Sequence, residues 1–373
     1  MFLALREMRH SKARYSLIMV IMLLVSFLVL FVTGLARGLA YANISAVENM
    51  PANYFAVQAD ADHAFRRSQL TGDDLAAAQS VVGNQNAAAL AVQTSTISAE
   101  AADIKADIAY FAVDMQGMLA PEVVQGEALT NDSQGSALVD AKLEDEGITI
   151  GGTIRDQASG LSWKVTGYVK DSSYSHMPVV YITDADWQAM KAGGTAQNGT
   201  ENSTAPYNVI ALKADSSQAS AIAGKLDNVE TITKKQAISS IPGYSAEQNS
   251  LLMMIVFLFV IAAFVLAVFF YVITIQKTSQ FGILKAMGTK MSYLAWSVVG
   301  QVMILSVTSL ALSLLLTFGM NMGLPDSMPF QLEGSTMLLT SLLFIGMSLL
   351  GALISVARVA KVDALEAIGR AGA

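Results

Sequence analysis

The chain has 373 residues, 53% hydrophobic and 14% charged, with mean hydropathy +0.47 and a formal net charge of −7. A soluble globular chain carries about 25% charged residues, so this composition excludes an ordinary soluble protein. Cysteine is absent, which excludes disulfides, zinc–thiolate centres, iron–sulfur clusters and covalently attached haem.

Residues 1–14 are basic, with Arg6, Arg9, Lys12 and Arg14 punctuated by Leu3, Leu5 and Met8. That pattern predicts an amphipathic helix on the inner membrane surface, its cations near lipid phosphates. A first transmembrane helix is expected at 15–40. The charge-free run Tyr15–Ala36 is longer than a signal-peptide core.

Residues 41–247 then form a large extracytoplasmic α/β domain. The stretch Arg37–Glu247 holds 13 Lys/Arg against 25 Asp/Glu, a net −12, which argues against nucleic acid as a partner. Strands are expected at Tyr54–Ala59 and Asn208–Lys213, and an amphipathic helix at Ser217–Leu226. Between them, Ile148–Ile154, Trp163–Tyr168 and Val179–Ile182 read as short strands split by glycine turns, giving a distal subdomain at roughly 125–205. Gly194–Thr204 reads as a loop.

A second transmembrane helix is expected at 248–276, a third at 291–325 and a fourth at 334–357, with an outer loop at 326–333. The segment 277–290 carries Lys277, Lys285 and Lys290 and no acid, and the tail 358–373 carries Arg358, Lys361 and Arg370. Basic flanks mark the cytoplasmic side. Both termini and the 277–290 segment are therefore expected inside, and the large domain outside. After the fourth span, Val359, Val362, Leu365 and Ile368 recur at helical spacing. The expected fold class is membrane α-helical, with four transmembrane helices and a mixed α/β domain inserted between helices one and two.

No catalytic constellation emerges. The chain has three histidines, His10, His63 and His176, and neither a HExxH nor a GxSxG motif. Gly288-Thr289-Lys290 lacks the spacing of a phosphate loop, so no nucleotide site is expected and any ATP dependence belongs to a partner. No charged residue falls within the four spans, which argues against transport driven by intramembrane carboxylates. At the outer edges, Tyr41, Ser45 and Glu48 share a face if the first helix continues outward, and Tyr244, Glu247 and Gln248 precede the second helix. They either line an outer-leaflet pocket or form an aromatic belt with capping acids. Tyr174, His176 and Met177 stand together before Pro178, as a surface turn or a part of that site. Phe281, Ile283, Leu284 and Met287 give the 277–290 segment an apolar face suited to docking a soluble partner.

Phe281, Gly282, Ile283, Leu284, Lys285, Ala286, Met287 and Gly288 match the pattern E-[FI]-G-[IVL]-L-[RK]-A-[LMI]-G, with Gln280 in place of its glutamate. With one span, a large domain and three further spans, the whole chain resembles the FtsX/MacB-like (type VII) permeases of ABC transporters. Leu3–Lys12 is similar to that family's N-terminal helix, and Ile148–Thr153 with Trp163–Tyr168 to part of its distal subdomain. Ala357–Ile368 is similar to its A-x-x-A-x-x-x-D-P-x-x-A-L tail, with the spacing off by a residue and Ala364 where proline is usual.

Length and the Tyr174–Ile182 segment most resemble the haem-export permeases of Gram-positive bacteria and their cyanobacterial relatives. The resemblance implies a homodimer in membrane lipid, paired with two copies of an ABC ATPase that carry ATP and magnesium. It implies no catalysis and no cofactor in this chain, haem as the cargo, and Phe281–Gly288 as the ATPase-coupling segment. Ferric iron accepts tyrosine or carboxylate oxygen, so the cargo candidates are Glu48, Tyr41, Tyr244, Glu247, Tyr174 and His176, with iron held through Glu48 or Tyr244. The same architecture would serve an exporter of another amphiphile, such as a lipid, peptide or antibiotic. It would also serve an FtsX-like transmitter that regulates a cell-wall hydrolase.

Overall fold

The computed structural model describes residues 12–99, 104–195, 205–324 and 328–360. The expected helix at 1–14 lies outside them up to residue 11, as do most of the Gly194–Thr204 loop and the tail beyond 360. In chain order the elements are α1 (Lys12–Glu48), β1 (Tyr54–Gln58), α2 (Gly72–Val82), β2 (Ala87–Ala99), β3 (Ile104–Val113), β4 (Val123–Gly126), β5 (Ser136–Asp140), α3 (Lys142–Asp145), β6 (Thr153–Asp156), β7 (Ser162–Val169), β8 (Ser173–Tyr174), β9 (Met177–Thr183), α4 (Asp184–Thr195), β10 (Val209–Leu212), α5 (Ser216–Lys225), β11 (Val229–Thr233), α6 (Lys234–Ser239), α7 (Tyr244–Gln276), α8 (Thr278–Ala286), α9 (Met291–Asn321) and α10 (Gly334–Ala360). Two compact units result, one of residues 39–248 and one formed by the segments on either side of it.

In the second of these units, α1, α7, α9 and α10 are each long and apolar enough to cross a membrane. Lipid supplies no hydrophobic drive between helices, so small residues and hydroxyls make the contacts. Ser309 and Ser313 on α9 donate to the carbonyls of Met19 (3.2 Å) and Leu23 (2.9 Å) on α1. Ser355 on α10 donates to Phe270 O on α7 at 2.9 Å. Gly34 and Gly38, four apart on α1, let the chain before α10 approach closely. Gln331 N donates to Gly34 O at 3.1 Å, and a Cβ on Gly38 would stand 2.2 Å from Pro329 O. Arg37 pairs with Glu333 at 3.1 Å in the same unit.

The 39–248 unit is built on one mixed sheet of order β11-β1-β10-β2-β3-β9-β5-β7-β4, with β6 bridging β2 and β7. Its strands alternate faces with period two. Phe55, Val57, Val209, Ala211, Leu90, Val92, Phe111 and Val179 enter one core together with Ile44 and Val47 of α1. Ala56, Ile210 and Leu212 face α2 and α5, where Ala78, Val82 and Ile222 pack. Tyr110, Ile108, Val180, Ile182 and Trp163 face Trp187 and Met190 of α4. Three helices of the unit are fixed by their caps: Thr71 on α2, Asp215 on α5 and Thr233 on α6 each close a reciprocal capping box.

Two sequence expectations change. Ile148–Gly152 is turn, and the strand there is only Thr153–Asp156, because Gly147 and Gly151 adopt positive φ at either end of it. The strands of residues 125–205 do not form a separate sheet. β2 and β3 pair along ten residues; the other edge of β2 takes both β10 and β6, and the other edge of β3 takes β9.

Candidate functional site

The helix α1 runs on to Glu48, so Tyr41, Ser45 and Glu48 do lie on one helix. Their side chains go to different partners. Tyr41 exchanges hydrogen bonds with Asn49, whose Nδ2 donates to Tyr41 Oη at 2.8 Å. Ser45 Oγ accepts from Ser173 N at 2.9 Å. Glu48 stands at the end of α1 beside Lys234, whose Nζ donates to the carbonyls of Glu48 (3.0 Å) and Met50 (2.6 Å). Lys234 thereby caps the carboxyl end of α1. Burial holds its pKa below the ordinary lysine value, and the Glu48 charge partly opposes that shift.

The polar group that does converge is one the sequence reading only half contains. β8 and β9 are joined by the two-residue turn Ser175-His176, both at positive φ (53° and 63°), the geometry of a type I′ hairpin. Neither is glycine, so the turn is strained, by about 1–3 kcal/mol per such residue. Ser175 N donates to Asn43 O of α1 at 2.8 Å, which fixes the hairpin tip. His176 Nε2 then lies 2.8 Å from Glu247 Oε2 at the start of α7. Asn43 Nδ2 donates to the same oxygen at 2.9 Å and stands 3.1 Å from the imidazole nitrogen. The bond to the carboxylate requires the proton on Nε2. Asn43 is 1% exposed, and its Oδ1 has no hydrogen-bond partner among the described residues. The His176 and Glu247 side chains keep 42% and 22% of their surface. An imidazole, a carboxylate and an unfilled amide acceptor thus meet at one partly open point.

Tyr174 does not join them. It is 2% exposed, set edge-on to Phe111 at 5.6 Å, and burial pushes its phenol up to about 12. Ser172, Ser173 and Tyr174 are all buried, and the chain turns outward only at Ser175 and His176, so Tyr174 stands apart from the polar group at the hairpin tip. Tyr244 is half-buried against the same core. Asn43 was missed by the sequence reading. Its signal was a lone amide in the otherwise small and apolar stretch Leu39–Ile44, where Tyr41 is the other polar-tipped residue.

The second candidate surface is α8. Lys277 separates it from α7 and caps its start. Its end is a Schellman motif: Gly288 at φ +89 follows Met287, Gly288 N donates to Lys285 O, and Thr289 N donates to Leu284 O, both at 3.0 Å. That requirement explains the glycine that closes the Phe281–Gly288 segment. Gly282 is buried, and Phe281 and Leu284 are half-buried. Ile283 and Met287, one turn apart, are 49% and 69% exposed. Lys285 and Ala286 are exposed beside them.

The architecture is that of a four-span membrane protein carrying one large inserted α/β domain. Residues 252–364 match the family described as FtsX-like permease C-terminal. The protein named "Putative hemin transport system permease protein HrtB" in Staphylococcus haemolyticus (strain JCSC1435) is 31% identical over 369 residues, 99% of each chain. The protein of the same name in Staphylococcus epidermidis (strain ATCC 12228) is 30% identical, also over 99% of each chain. The chain belongs to the FtsX-like permeases, the membrane subunits of ABC transporters, which act as permease pairs with an ATPase subunit.

Among solved structures, the extracellular domain of the noncanonic ABC-type transporter YknZ from Gram-positive bacteria gives a TM-score of 0.34 at 15% identity, covering 49% of this chain and 99% of that one. The periplasmic region of MacB from Actinobacillus actinomycetemcomitans gives 0.36 at 13% identity, covering 54% and 96%. Both likenesses are remote, and the family assignment rests on the full-length relatives.

Proposed function

We propose that this chain is the permease of a haem exporter. Two copies pair with two copies of an ABC ATPase, both termini and α8 face the cytoplasm, and the 39–248 unit faces outward. The basic residues flanking the spans support that orientation, and the hemin transport in the names of the full-length relatives supports the cargo. The observation that carries the proposal within this molecule is the His176–Glu247 pair, 2.8 Å apart, partly open and backed by the Asn43 amide. Imidazole and carboxylate are both ligand types for ferric iron. On this account the pair opens to receive the iron, and the Asn43 carbonyl accepts a hydrogen bond once its neighbours move. Glu48 serves here mainly as the countercharge to Lys234. This chain needs no cofactor of its own, since ATP and magnesium stay on the ATPase.

The test is a hemin titration of the purified permease–ATPase complex, followed in the Soret region. His176→Ala and Glu247→Ala each shift the Soret band and weaken binding, while Tyr174→Phe leaves both unchanged. Wild-type spectra and affinity in both alanine variants would remove the pair from the cargo site.

A further inference from the structure

We propose that Lys277 is a positioning residue that passes the motion of α8 to α1 and α9; this rests on α8 being the helix that meets the ATPase. Lys277 is the single residue between α7 and α8. Its N–H donates back to Thr274 O at 3.2 Å, and its carbonyl accepts the Phe281 N–H at 2.9 Å. Its backbone therefore belongs to both helices.

Its side chain turns inward and is buried (2% exposed), whereas Lys285 and Lys290, the other two cations of the segment, are exposed. The ammonium donates to Tyr15 Oη of α1 at 2.8 Å and to Gln301 Oε1 of α9 at 2.9 Å. Tyr15 Oη closes the triangle by donating to Gln301 Oε1 at 2.9 Å, and the ammonium also lies 5.4 Å from the centre of the Tyr15 ring. Tyr15 and Gln301 are themselves buried, at 5% and 4% exposure. Three helices thus meet at one cation, set at the residue from which α8 begins.

A charge held away from water depends on its partners, so stripping them is costly. When α8 is displaced, the ammonium either abandons two buried acceptors or carries α1 and α9 with it. Moving the helices keeps every bond. A neutral side chain of the same length would fill the same space and let α8 slide independently. A cavity of about 20 Å³, room for about one water, lies beside the node, lined by Ile18, Thr274, Val298 and Leu305. Small displacements at packed interfaces are amplified in this way because such interfaces have discrete arrangements.

The chain has no cysteine, so cysteines placed at Leu28 of α1 and Leu339 of α10, exposed at 48% and 60%, can be spin-labelled in the purified permease, without background from it, before the ATPase is added. The distance between them is measured by pulsed electron resonance on the permease–ATPase complex in nanodiscs, diluted with unlabelled permease, with and without ATP and vanadate. The wild type shifts with nucleotide. Lys277→Met loses most of that shift while still retaining the ATPase, Lys277→Arg restores it, and Tyr15→Phe and Gln301→Leu each lose part of it. A full shift in Lys277→Met, no shift in the wild type, or loss of the ATPase from Lys277→Met would each overturn the proposal. The docking role of α8 is tested separately by whether Met287→Asp releases the ATPase. Retention of the ATPase by Met287→Asp would remove the docking role on which the proposal rests, whereas a full shift in Lys277→Met would remove the role of Lys277 alone.

Discussion

Ile283 and Met287 set the affinity of the ATPase for this permease if α8 is the docking helix. Both are apolar, one turn apart and largely uncovered, at 49% and 69% exposure. Fully burying such a side chain contributes about 1.5–3 kcal/mol. Scaled by the exposed fractions, Ile283 contributes about 0.7–1.5 kcal/mol and Met287 about 1–2 kcal/mol. The double variant Ile283→Ser/Met287→Ser should therefore lose about 2–3.5 kcal/mol, a Kd weaker by about 30- to 300-fold. Because both side chains already face outward, folding should change by no more than about 0.5 kcal/mol. The assay is biolayer interferometry of the purified ATPase over permease in nanodiscs, with the half-buried Leu284→Ser as a comparison expected to lower stability more. An affinity within threefold of wild type for the double variant would refute the assignment of this face.

Other outcomes follow from the packing. Gly38→Ala drives a methyl into the Pro329 carbonyl, 2.2 Å away in backbone that cannot step aside. Thermal unfolding in detergent should show a loss of about 1–3 kcal/mol. Gly34→Ala crowds the Phe330 ring, a side chain that can move, with Gln331 O at ordinary contact distance, and should lose less; an unchanged Gly38→Ala would contradict the close approach. Lys234→Met leaves the Glu48 and Met50 carbonyls without their donor and should cost about 1–2 kcal/mol after allowing for partial exposure.

The Lys234 substitution also has a pH signature. The folded state lowers the pKa of Lys234, so the charged form opposes folding below the folded value. That penalty is relieved as pH rises from the folded value towards the ordinary lysine pKa of about 10.4. Chemical denaturation across alkaline pH should show this rise in wild type and not in Lys234→Met. The same slope in both would exclude Lys234 as its source.

The spans were legible because four charge-free runs of sufficient length leave few alternatives, and the short strands Tyr54–Gln58, Val209–Leu212 and Met177–Thr183 because β-branched and aromatic residues concentrate there. The long β2–β3 pair was not legible. Ala87–Ala99 reads AAALAVQTSTISA, in which alanine and serine predominate, and these give neither a strong apolar stripe nor a strand preference. Its pairing with β10, β6 and β9 comes from tertiary contacts that no local pattern encodes. At the candidate site, His176 and Glu247 stood out by residue type, but Asn43 is 133 residues from one and 204 from the other. Tyr174 misled because it adjoins the outward turn Ser175-His176 in sequence, while its own ring packs into the core with Phe111. Lys277 looked like an ordinary charge marking the inner side of a membrane. Its burial appears only once Tyr15, 262 residues away, and Gln301 are brought to it.

Haem export driven by ATP hydrolysed on a partner subunit is the proposed function of this permease. Its most direct measurement is hemin transfer by the permease–ATPase complex in proteoliposomes, read by a haem-quenched fluorophore, with and without ATP. ATP-dependent hemin movement that is lost in both Glu247→Ala and Met287→Asp is the predicted result. An assembled complex that hydrolyses ATP while hemin stays where it was would contradict it, and would leave the same architecture to another amphiphile.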